Sequence, residues 1–174
     1  PKEVDIQGVS LHSFFEHDKI LQTTLLSLFG KTDTKIRLLL IDPNCEQAKY
    51  RSYREFLLQP NSSKIFNKES FAHYCSKSGA LDSDLFRHTN AAMRSFAAAI
   101  EKVKEDSTKS GSVEMRRYSS APGCFIMRVD DTILVEQYLY GKVERTHSAK
   151  KEILGKDMPL FEFKRDTSQK AKFY

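Results

Sequence analysis

Residues 121–141, APGCFIMRVDDTILVEQYLYG, carry the reading on which the fold turns. Two apolar runs, Gly123 to Val129 and Thr132 to Tyr140, flank the pair Asp130-Asp131. Strand-length runs rich in β-branched and aromatic residues, separated by two turn formers, specify a β-hairpin, although this turn lacks the favoured glycine. In the tail, strand alternation places Glu136, Tyr138 and Tyr140 on one face. Polar groups inside an otherwise apolar strand are costly unless they find partners.

Before the hairpin the chain alternates strand and helix. Val4 to Val9 is a short β-like run, followed by a helix to about Leu28 with Ile20, Leu21, Leu25, Leu28 and Phe29 at helical spacing and Gly30 as its C-terminal cap. Lys35 to Ile41, KIRLLLI, is nearly all apolar, as a strand covered on both faces should be. Together they form a β-α-β unit, which implies parallel pairing and a right-handed crossover.

Asp42-Pro43-Asn44 then breaks the strand and caps a helix from Cys45 to about Leu58. A short helix is expected over 67–77. From Ser83 to about Lys104, Leu85, Phe86, Ala92, Met93, Phe96, Ala97, Ile100 and Val103 make an apolar stripe that reads as core packing. Strands are expected at Val113 to Tyr118 and Pro159 to Lys164 as well as in the hairpin. The order predicts an α/β domain with a mixed sheet and helices packed on its faces, spanning 1–174. Segments 59–66, 106–112 and 142–157 read as flexible connections.

A chain of 174 residues with 40% hydrophobic and 29% charged residues is a globular domain long enough to bury a core. No run approaches the about 18 apolar residues that a membrane span requires. The chain opens on Pro1 rather than Met, as a segment cut from a longer protein would. Three widely spaced cysteines, Cys45, Cys75 and Cys124, support neither a zinc site nor a disulfide framework, so a reducing cytoplasm is the expected compartment. Seven glycines form no dinucleotide fingerprint or P-loop, and there is no nucleophile elbow. No metal or cofactor is expected. The net charge of +5 fits either a solvated surface or an anionic partner.

In the VDIQGVSLHSFF opening, KIRLLLIDPN followed by a helix, GCFIMRVDDTILVEQYLYGK and the closing MPLFEF, the chain resembles a single phospholipase D-like domain, of the kind found in regulatory modules of bacterial and fungal multidomain proteins. The resemblance implies a His-x-Lys-x4-Asp signature, in which His serves as nucleophile or acid and Lys neutralises phosphate charge. Laid on the hairpin, that spacing puts Cys124 at the His, Ile126 at the Lys and Asp131 at the Asp. An isoleucine cannot stabilise a developing phosphorane charge, which argues against an enzyme. His17-Asp18-Lys19 reproduces His-x-Lys, but on the first helix and without the Asp.

In open α/β sheets, ligands bind beyond the carboxyl ends of the strands. The candidate ligand-binding residues at that edge are Asp42, Arg51, Arg54, Arg117, Glu136, Tyr138 and Tyr140. Two readings of the group stand side by side. Glu136 pairs with Arg51 or Arg54 as a buried bridge, or the group surrounds a small anionic or nucleotide-like ligand. The expected function is a non-catalytic phospholipase D-like binding, sensing or regulatory module. The alternatives are a phosphodiesterase or nuclease active as a homodimer, and a nucleic-acid-binding accessory domain using Arg116-Arg117-Tyr118 or Lys49 to Arg54.

Overall fold

The computed structural model describes residues 1–11, 23–25, 27–28, 31, 33–57, 67–76, 83–105, 111–121, 123–138 and 159–165. They form six strands and three helices with defined bounds: β1 (Glu3–Gly8), β2 (Lys35–Ile41), α1 (Glu46–Leu57), α2 (Lys68–Ser76), α3 (Asp84–Glu105), β3 (Ser112–Tyr118), β4 (Cys124–Val129), β5 (Thr132–Gln137) and β6 (Leu160–Lys164). Residues 23–25 and 27–28 are helical as well. The α/β class with a mixed sheet is therefore the observed one. The Gly30 cap, segments 59–66 and 142–157, and 106–110 of the third connection lie outside the described residues; its last residue, Ser112, opens β3.

The strands make a single six-stranded sheet in the order β3-β2-β1-β4-β5-β6. β1 pairs with β2 and β2 with β3 in parallel, while β1–β4, β4–β5 and β5–β6 are antiparallel. The β-α-β expectation for the first half thus matches the observed parallel pairing. The hairpin turn is Asp130-Asp131, as expected, with Asp130 at a φ of 51°. Aspartate tolerates that left-handed backbone better than most residues. Its carboxylate also accepts bonds from the backbone N–H groups of Lys2 (2.7 Å) and Glu3 (2.9 Å), fastening the start of β1 to the turn.

Alternation explains the core. Val4 and Ile6 of β1 and Ile36, Leu38 and Leu40 of β2 point to one face, where they pack with Leu25, Ala92, Met93 and Phe96. α3 supplies Ala92, Met93 and Phe96 to this layer, continuing the line of buried residues that Leu85 and Thr89 begin at three- and four-residue spacing. Ala97, expected in the stripe, is exposed, since it lies off that line; the fully buried Thr89 takes its place in the register. A second cluster joins Tyr53 and Leu57 of α1 to Tyr74 of α2.

The opposite face of β1 and β2 is mixed, with Asp5, Gln7, Arg37 and Leu39 half-buried on it, so the second face of β2 is partly rather than fully covered. Asp5 stands opposite both Arg37 and Arg128. The Arg37 guanidinium grips it with two bonds, Nε to Oδ1 at 2.5 Å and Nη2 to Oδ2 at 2.8 Å. Arg128 Nε lies 2.8 Å from Asp5 Oδ2, and Arg128 also pairs with Glu3. Arg37, by its hydrogen bond, holds the Asp5 carboxyl below the usual carboxylate range.

Candidate functional site

Because β1, β2 and β3 run parallel, their carboxyl ends lie together. β4 runs against β1, so Cys124 begins at that same end, and β5 returns there with Gln137. Main-chain bonds close the edge: Ile41 N–H to Val9 O, Asp42 N–H to Tyr118 O at 2.8 Å, and Tyr138 N–H to Gly123 O at 3.0 Å. The Tyr118 hydroxyl donates to Gly8 O at 3.2 Å. Beyond the strand ends a small core of Val9, Ile41, Ala48 and Leu85 carries Cys45, Tyr118 and Tyr138 against it. Leu11, where the chain leaves β1, holds a φ of 52°, a costly conformation for leucine. Gly8 has no side chain at the point where a Cβ would collide with that of Leu11.

The sequence-derived candidates divide at this edge. Asp42 turns β2 into α1: its Oδ1 accepts from Asn44 N–H at 2.9 Å, and its carbonyl accepts from Cys45 N–H at 3.1 Å. Arg51 and Tyr138 are brought together, with the guanidinium carbon 5.2 Å from the ring centroid. Arg51 Nε donates to Glu55 Oε1 at 3.0 Å, which orients the guanidinium from within the helix. Arg54 is half-buried one turn further along α1. Arg117 is exposed on β3, opposite Leu40, and makes no described contact with the Arg51–Tyr138 pair. Tyr140 lies outside the described residues.

Glu136 sits on β5 between Phe125 of β4 and Leu160 of β6. It has no ion pair among the described residues, and burial pushes its carboxyl above the usual range. The bridge from Glu136 to Arg51 is therefore absent; the i,i+4 carboxylate of Glu55 is nearer to hand for a helical arginine. That spacing was legible in the sequence, and Glu55 is the site residue that sequence reasoning missed.

The three positions of the hydrolase signature do not converge. Cys124 and Ile126 project from β4 toward the face that carries Arg128, whereas Asp131 lies in the turn beyond the other end of the strand, 3.8 Å from Arg165. A six-residue strand is about 20 Å long, so Asp131 cannot meet a group at Cys124. His12, His17 and Lys19 lie outside the described residues, as does His147; His73 is exposed on α2 and His88 half-buried on α3. Among the described residues no group of three or more His, Cys, Asp or Glu side chains is placed to hold a metal ion. None of the described helices is long and apolar enough to cross a membrane. Comparison with family models, curated proteins and solved structures returns no match for this chain.

Proposed function

We propose that the chain is a non-catalytic binding module, a catalytically degenerate phospholipase D-like domain that engages a small anionic or nucleotide-like ligand at its carboxyl edge. The observation that carries this reading is the Arg51 guanidinium lying over the Tyr138 ring where the parallel strands end. A guanidinium is the side-chain group whose planar fork best matches a carboxylate or phosphate. The tyrosine ring beneath it attracts the cation and helps to set its position at the edge. Glu136, two residues earlier on β5, adds a half-buried carboxyl that burial pushes above the usual range. The absence of the histidine and lysine at Cys124 and Ile126 supports binding without turnover.

A thermal-shift series with inorganic phosphate, pyrophosphate and nucleoside mono- and diphosphates tests the reading. At least one of these is expected to raise Tm by several degrees, and Arg51→Ala to abolish the shift. Arg51→Lys is expected to keep only part of it, because an ammonium lacks the planar fork. No shift with any of these ligands, or an equal shift in Arg51→Ala, rejects the site.

A further inference from the structure

The two edges of the sheet are finished differently. β3 closes one edge with Glu114, Arg116 and Arg117 exposed along it, the charged dressing that discourages strand addition. β6 closes the other edge as Leu160-Phe161-Glu162-Phe163-Lys164. Leu160, Phe161 and Phe163 are 55%, 46% and 56% exposed, and among the described residues only Tyr50 joins them as an exposed large apolar side chain. An edge strand carrying two exposed phenylalanines is a template for another strand.

Which strand fits follows from its hydrogen-bonding parity. Arg165 N–H donates to Asp131 O at 2.8 Å, so Arg165, Phe163 and Phe161 turn their backbone groups toward β5. Glu162 and Lys164 turn theirs the other way, toward the edge that no described strand occupies. A second copy of β6, added antiparallel about a two-fold axis, must oppose residues of this outward set to each other. An axis through Glu162 sets two glutamates face to face, and an axis through Lys164 sets two lysines face to face. An axis through Phe161 opposes Leu160 to Glu162. Only an axis through Phe163 opposes Glu162 of each copy to Lys164 of the other, and it stacks the two Phe163 rings across a non-hydrogen-bonded pair, where side chains approach most closely. That register uses residues 161–165 alone and stops short of Pro159, which has no N–H to offer.

We infer that two copies of this chain associate through β6, antiparallel and with Phe163 on the two-fold axis, to continue the sheet across the dimer. The seam carries two reciprocal Glu162–Lys164 pairs on one face and the phenylalanines of both copies on the other. Association of this kind is independent of the Arg51 site, which lies at the end of the strands rather than at this edge.

Sedimentation velocity over a range of concentrations, with circular dichroism to confirm folding, gives the first test. The chain is expected to move from monomer to dimer as concentration rises. Glu162→Lys and Lys164→Glu should each shift the transition to concentrations at least tenfold higher, and the double exchange should restore it. Single-cysteine substitution under mild oxidation fixes the register, with the unsubstituted protein, which has free Cys45, Cys75 and Cys124, as background. Phe163→Cys should give a disulfide-linked dimer, while Phe161→Cys and Glu162→Cys should not exceed background. A folded chain that stays monomeric throughout, a double exchange that fails to restore the dimer, or preferential linkage through position 161 or 162 overturns the inference.

Discussion

Three parallel strands and three antiparallel strands share one sheet, and they are treated oppositely by the rest of the chain. Ile36, Leu38 and Leu40 of β2 are 0–1% exposed beneath Ala92, Met93 and Phe96. In β4 every residue is only half-buried, and in β6 every residue is exposed. The cause lies in the connections. β1 to β2 and β2 to β3 step in the same direction across the sheet, and Leu25 from the first connection packs with Ala92, Met93 and Phe96 from the second on one face of it. The hairpin and β6 are joined without a crossover helix among the described elements. Stability therefore concentrates in the parallel half, while the antiparallel half leaves more of its apolar side chains in water.

The largest effect that could break this contrast is a pair of cavity substitutions. Phe96→Ala removes a ring that is 0% exposed and should cost about 3–5 kcal/mol in urea unfolding. Val135→Ala, on half-buried β5, should cost about 1 kcal/mol or less, because its side chain is already partly in water. Equal costs would mean that the antiparallel half is as much a part of the core as the parallel half.

A second substitution sharpens the picture inside the parallel half. Thr89 is 0% exposed on α3, and its hydroxyl finds no hydrogen-bond partner among the described residues. Thr89→Val keeps the branched shape and removes an unsatisfied polar group, so it should raise stability by about 1 kcal/mol and raise Tm. A loss of stability would reveal a partner for the hydroxyl.

Most of the architecture was legible in the sequence, and the reasons are local. KIRLLLI, the Asp130-Asp131 turn and the stripe from Leu85 to Phe96 each declare a period and a boundary within one segment. The charged ladder was not legible, because Asp5, Arg37 and Arg128 meet only through the register of β1 with β2 and β4. A strand that looks doubly buried in isolation has one face dressed by its own arginine and by its neighbours' charges. Of the candidate group, strand order made legible only that Arg51 and Tyr138 share one edge of the sheet; their contact, and the choice of Glu55 over Glu136 as the arginine's partner, depend on side-chain reach.

The smallest effects are electrostatic, and the two halves should show them with opposite sign. Asp5 lies in the ladder with its folded pKa held below 3.8 by the Arg37 hydrogen bond. Its contribution is fully present above the unfolded value and is lost as pH falls through the lowered folded one. Asp5→Asn should then cost about 1 kcal/mol at neutral pH, since the side chains are partly exposed and solvent screens the pair. Glu136, without a cation among the described residues, has a folded pKa raised above 4.5 by burial. Between 4.5 and the raised value the folded state binds more protons than the unfolded one, so stability falls as pH rises through that window. Glu136→Gln should therefore be slightly more stable than the parent at pH 7, with the difference shrinking to nothing below 4.5. Urea midpoints measured from pH 3 to 8 for both variants check the pair of signs. If Glu136→Gln instead destabilises at pH 7, the carboxylate has a cationic partner, and the antiparallel half is braced by charge much as the ladder braces the other.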